Sequence, residues 1–140
     1  MLGYLLAMKI FHLTEPKHGW IGVSFGNPSD AFTFTASNVP NDCLCDLAMA
    51  VCRLLSGSKH ETVEFSLEPG FAVCELHHES DSVRVVVRHP DHVESAFDDS
   101  FLLHAFARRI RFELLRIQPN YSIQDGWAQP FPELEVANLT

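Results

Sequence analysis

The first third of the chain alternates apolar and polar residues with the period of a strand. Residues 8–13 and 20–26 are rich in β-formers and are separated by Glu15-Pro16-Lys17-His18-Gly19, a breaker cluster that predicts a hairpin. Gly26-Asn27-Pro28-Ser29 ends the second strand. Residues 31–36 then alternate aromatic and threonine side chains, which predicts a half-buried third strand with Phe32 and Phe34 inward.

The period next changes to that of a helix. Asn38-Val39-Pro40-Asn41-Asp42 supplies capping residues and Gly57 a stop, so a helix is expected over about 42–56. At about 100° per residue, Leu44, Leu47, Ala48, Val51 and Leu55 form one stripe. Cys45, Met49 and Cys52 widen it on one flank, and Cys43, Ala50 and Leu54 on the other, leaving Asp46 and Arg53 as the polar strip. A helix apolar around so much of its circumference has to be covered on more than one side, by other segments or by a second copy of the chain. A homodimer is one expectation from this pattern.

Two-residue alternation returns at Val63-Phe65-Leu67, followed by the turn signal Pro69-Gly70. A tight turn there would pair Leu67 with Ala72, Phe65 with Cys74 and Val63 with Leu76. A second turn at Glu79–Ser82 would place Leu76 opposite Val85, Cys74 opposite Val87 and His78 opposite Val83. The opposite face carries Glu64, Glu68, Glu75, His77, Arg84 and Arg88, whose signs allow diagonal pairing in solvent. A second helix is expected from about Ser100 to Gln118, capped by Asp98, Asp99 or Ser100 and stopped by Pro119, with Leu103, Phe106, Ala107, Ile110, Leu114 and Ile117 facing the core. The tail holds Tyr121, Ile123, Trp127, Phe131, Leu134, Val136 and Leu139. That is too much apolar surface to leave in water, so residues 119–140 are expected to clasp the domain in extended form.

The elements define an α+β fold: a mainly antiparallel sheet in the order βββ-α-βββ-α, with two helices packed on it and an extended C-terminal clasp. Residues 1–140 read as one domain, with 1–7 as a disordered or non-native leader. The succession is similar to profilin-like and longin-like folds in topology, a likeness that implies no function.

Apolar residues make up 46% of the 140 and charged residues 20%, which excludes collagen-like, coiled-coil and disordered classes. The N-terminal apolar run lacks a basic flank and a cleavage site, and no run reaches the roughly 20 residues of a membrane-spanning helix. Four cysteines, Cys43, Cys45, Cys52 and Cys74, fall in a helix and a strand rather than in loops, so they read as reduced, buried thiols of a cytoplasmic protein. The net charge of −8 argues against a general nucleic-acid binder.

The charge is unevenly placed. The second helix carries Arg108, Arg109, Arg111 and Arg116 against Glu113 alone, a local +3, so the rest of the chain sums to −11. Two readings compete. The arginines form a docking face for an acidic partner, arginine being favoured at interface hot spots and in bidentate carboxylate contacts. Alternatively, nearby acids such as Asp98, Asp99, Glu133 and Glu135 neutralise them internally, Arg109-Glu113-Arg116 already being spaced as a ladder.

Histidine is the other chemical signal. His89-Pro90-Asp91-His92 places two imidazoles and a carboxylate in one loop near Glu94, with His77 or His104 as further candidates, and such donors suit transition metals. Pro90 prevents a helical chelate, so the exposed-loop reading outweighs a metal site. His77 and His78 are adjacent in a strand and point to opposite faces. No phosphate-binding loop, nucleophile elbow or kinase signature is present, and no cofactor is implied. The expectation is therefore a small non-catalytic protein-interaction module of inhibitor, antitoxin-like or chaperone-like type, with no nucleic-acid or membrane partner. A metal-dependent or small-ligand enzyme built on residues 89–92 is the alternative.

Overall fold

A computed structural model describes residues 10–140, and the expectation for residues 1–7 lies outside the described residues. Among the described residues seven strands form one antiparallel sheet in sequence order: β1 (Phe11–Leu13), β2 (Trp20–Phe25), β3 (Phe32–Ser37), β4 (His60–Ser66), β5 (Phe71–Glu79), β6 (Ser82–Arg88) and β7 (Phe97–Leu102). Helix α1 (Cys43–Leu55) connects β3 to β4, and α2 (Leu103–Ile117) follows β7. A short 3-10 turn (Gln118–Asn120) and α3 (Glu133–Ala137) complete the chain. The α+β architecture expected from the pattern is present.

The alternation sets which face is buried. Ile21, Val23, Phe25, Phe34, Ala36, Val63, Phe65, Cys74, Leu76, Val83, Val85 and Val87 all belong to the core that α1 and α2 cover. Phe25, Phe34 and Phe65 lie at its centre, Phe25 to Phe65 edge-on at 6.3 Å and Phe34 to Phe65 at 5.5 Å. Phe32 lies only half-buried beside them. On the outer face Arg88 pairs with Glu75 at 2.8 Å, the cross-strand charge pairing anticipated for a solvated surface, and Arg84 pairs with Asp98 at 2.7 Å, a partner that the sequence pattern placed in a helix cap instead.

Three local expectations need correction. The β4–β5 connection is a four-residue loop closed by Leu67 N–H to Gly70 O at 2.9 Å, so Phe65 pairs with Ala72 and Val63 with Cys74. The fixed φ of an L-proline suits poorly the primed turns that tight hairpins require, which lengthens the loop. The register slips by two residues, so every side chain keeps its face. The β5–β6 register is as expected, Leu76 opposite Val85 and Cys74 opposite Val87.

Residues 97–102 form a strand where the helix was expected to begin. They pair along the whole outer edge of β6, and α2 starts only at Leu103, with no side-chain cap. Satisfying the β6 backbone outweighs the capping preference of Asp98, Asp99 and Ser100. The C-terminal segment, finally, is compact rather than extended. It buries Tyr121, Trp127, Val136 and Leu139. Together with the sheet and α2 it covers most of α1, while Met49 on one flank stays 39% exposed.

Asp42 fixes the clasp to α1. As the N-cap, its carboxylate accepts the Cys45 N–H at 3.1 Å, and it also accepts Trp127 Nε1–H at 2.8 Å and the Tyr121 hydroxyl at 3.0 Å. Burial raises its pKa, opposed by the hydrogen bonds from Trp127, Cys45 and Tyr121. Gly126 lies behind Trp127 where the chain touches itself: a Cβ there would sit 1.8 Å from Asn120 O.

Candidate functional site

Helix α2 divides its four arginines between two tasks. Arg109 and Arg116 point toward β1, the first strand of the sheet, and flank Glu113, whose side chain is fully buried. Glu113 receives the Leu13 N–H at 2.7 Å, Arg116 Nη2 at 2.8 Å and Arg109 Nη2 at 3.0 Å. His12 Nδ1 lies 3.0 Å from the same carboxylate. Arg109 Nε donates to Phe11 O at 2.8 Å, and Arg116 Nη2 donates to Leu13 O.

These backbone groups are the ones β1 directs away from β2, so the triad closes an edge that would otherwise present unpaired donors and acceptors. Burial alone would raise the pKa of Glu113. The hydrogen bonds from Arg116 and Leu13 and the charges of Arg109 and Arg116 outweigh it and hold the carboxyl below the usual glutamate range. Arg109 is 8% exposed in its side chain, and Arg116 also reaches Glu15 at 3.4 Å. Two of the four arginines expected to form a docking face are thus committed inside the fold.

Arg108 and Arg111 are different. Five of the seven arginines, Arg53, Arg84, Arg88, Arg109 and Arg116, are in ion pairs, and among the described residues Arg108 and Arg111 are in none. Arg111 Nε is shielded from water and has no hydrogen-bond partner among the described residues. Beside them on the outward face lie Phe112 and Leu115, 48% and 38% exposed, the usual i, i+3, i+4, i+7 stripe of a helix. Arg109 lies over the Phe112 ring at 4.9 Å, which holds that aromatic in place.

The histidine loop follows β6. His89 sits with a side chain 14% exposed, its ring 5.6 Å from Phe32 and 5.8 Å from His92. Its Nδ1 accepts the Asp91 N–H at 3.2 Å, whereas the Asp91 carboxylate is 85% exposed. His77 lies on the outer sheet face, stacked on His60 at 4.6 Å, and His104 is exposed on α2. The fold therefore does not bring His77 or His104 to the loop. Among the described residues no three His, Cys, Asp or Glu side chains are grouped so as to hold a metal ion.

The thiols are poor nucleophiles. Burial pushes all four pKa values up, that of Cys45 to about 11, with Asp42 and Glu135 adding to the effect there. No helix among the described residues is long and apolar enough to cross a membrane. Compared with protein-family models, with curated proteins and with solved structures, the chain gives no match.

The 109-113-116 spacing was legible, and internal neutralisation follows from it. The acid that does the neutralising is Glu113, not the more distant Asp98, Asp99, Glu133 or Glu135. The sequence pattern does not single out Phe112 and Leu115, because apolar residues beside a core stripe read as its margin.

Proposed function

We propose that the protein is a non-catalytic binding module that engages an acidic protein partner through the outward stripe of α2, formed by Arg108, Arg111, Phe112 and Leu115. The observation that carries this reading is the contrast among the arginines. Every arginine outside this stripe has a carboxylate within the chain, in a molecule with a large excess of acids. Two unpaired guanidinium groups beside exposed aromatic and aliphatic surface have the composition of an interface hot spot.

A carboxylate from the partner would pair with the exposed Arg108 guanidinium, and Phe112 and Leu115 would supply the apolar centre. An inhibitor or antitoxin-like role suits a small domain that carries its contact surface on one rigid helix. The test is capture from a lysate of the source organism, comparing the native protein, an Arg108→Glu/Arg111→Glu variant and an Arg53→Glu variant. A stoichiometric acidic partner, lost about thirtyfold or more in the α2 variant and retained in the Arg53 variant, supports the reading. Equal capture by all three proteins overturns it.

A further inference from the structure

Among the described residues the sheet has four free stretches of strand edge, and on three of them side chains bond to outward backbone groups. On β1 the groups pointing away from β2 are taken by Arg109, Glu113 and Arg116. On β4 the outward Glu64 carbonyl accepts Asn41 Nδ2 at 2.9 Å. On β7 the outward Ser100 N–H donates to the Asp99 carboxylate at 2.8 Å. Each of these bonds occupies part of its edge.

The fourth stretch is on β3. This strand meets β4 only at Ser37↔Ser66, because the chain leaves the β4 lane at the Leu67–Gly70 loop while β3 runs on. Asn38 N–H donates to Gly19 O, and ladder alternation then directs the backbone groups of Phe32, Phe34 and Ala36 to β2. Those of Thr33 and Thr35 point the other way and have no partner among the described residues. They face a cleft of about 520 Å³ lined by Phe32–Thr35, Leu67, Pro69 and His89–His92.

We infer that this open edge is a site of strand addition, taking an extended segment of a partner protein into the lane that β4 vacates. The segment pairs its backbone with Thr33 and Thr35. Side chains on its core-facing side meet Phe32, Leu67 and the shielded His89 ring, so apolar residues are selected at alternate positions. The only carboxylate in the lining, Asp91, stands exposed at the rim, and the lining holds no lysine or arginine, so the segment carries lysine or arginine near its end. This surface lies apart from the α2 stripe and does not depend on it.

The probe is a phage-displayed heptapeptide library, selected on the native protein and compared on a Thr33→Pro variant, which deletes one cleft-facing N–H and the Ser24–Thr33 hydroxyl contact but leaves the backbone bonds to β2. The expected result is enrichment of alternating apolar sequences with a basic residue, bound about tenfold more weakly by Thr33→Pro. Because that variant can also fail to fold, amide hydrogen exchange on the native protein gives a second readout: a saturating selected peptide slows exchange at Thr33 and Thr35. Unchanged exchange at both amides, or equal binding by a folded Thr33→Pro variant, overturns the inference. Concentration-dependent self-association abolished by Thr33→Pro also overturns it, in favour of a second copy of the chain as the occupant.

Discussion

Replacing Glu113 with glutamine removes one negative charge and keeps the shape of the side chain where α2 meets β1. The carboxylate is fully buried and receives Arg109, Arg116 and the Leu13 N–H. A glutamine oxygen can accept at most part of this set, and its amide group turns donors toward donors. Arg109, only 8% exposed, is left as a buried cation without a counter-ion. Breaking one member of a buried ion pair costs about 3–5 kcal/mol, a large fraction of the roughly 5–15 kcal/mol that holds a domain folded. For a chain of this length that corresponds to a fall in Tm of about 10–20 °C.

Thermal and urea denaturation, followed by the fluorescence of buried Trp127, measures this loss. The double variant Arg109→Met/Glu113→Gln removes the stranded cation and is expected to recover about 1–3 kcal/mol as a coupling energy. The carboxyl of Glu113 is held below its ordinary range, so its contribution is complete above that range and disappears as pH falls through the depressed value. The variant should therefore lose part of the acid sensitivity of the native protein. A loss below about 1 kcal/mol for Glu113→Gln, or a double variant as unstable as the sum of the singles, would refute the edge-closing role.

Further expectations concern the clasp. Asp42→Ala strands the Trp127 and Tyr121 donors and the Cys45 N–H, costing about 3 kcal/mol by denaturant titration, whereas Asp42→Asn keeps an acceptor and costs about 1 kcal/mol or less. The pKa of Asp42 is raised in the folded state, so its contribution weakens as pH climbs from the ordinary aspartate value to the raised one, and Asp42→Asn should abolish that slope. Gly126→Ala drives a methyl group into Asn120 O and is expected to cost about 3 kcal/mol, with a change in Trp127 fluorescence in the native baseline.

Much of this architecture is legible in the residue pattern. The period-two runs give six of the seven strands and the period-3.6 runs give both long helices, because each has one face in a common core. The β5–β6 register is legible because the chain turns tightly at Asp81. The β4–β5 register is not, because loop length there depends on backbone geometry at Pro69. Strand β7 is hidden for a different reason: Phe97-Asp98-Asp99-Ser100 carries local helix-capping signals, and only the unpaired edge of β6 makes it a strand.

The candidate site shows the same division. That α2 is basic can be read directly, but which arginines are free depends on which side of the helix meets β1. The stagger between β3 and β4, which opens the Thr33–Thr35 edge, leaves no mark in the sequence, since it arises from where two separate turns fall.

The arginines of α2 are split between an internal and an external task, and a single comparison tests this division. Binding of the captured acidic partner should be titrated against the native protein and the Arg108→Glu/Arg111→Glu variant, with Tm recorded for both. Affinity should fall about thirtyfold or more with stability changed by no more than about 1 kcal/mol, since neither side chain is in an ion pair among the described residues. Unchanged affinity, or a loss of stability as large as that of Glu113→Gln, would contradict it.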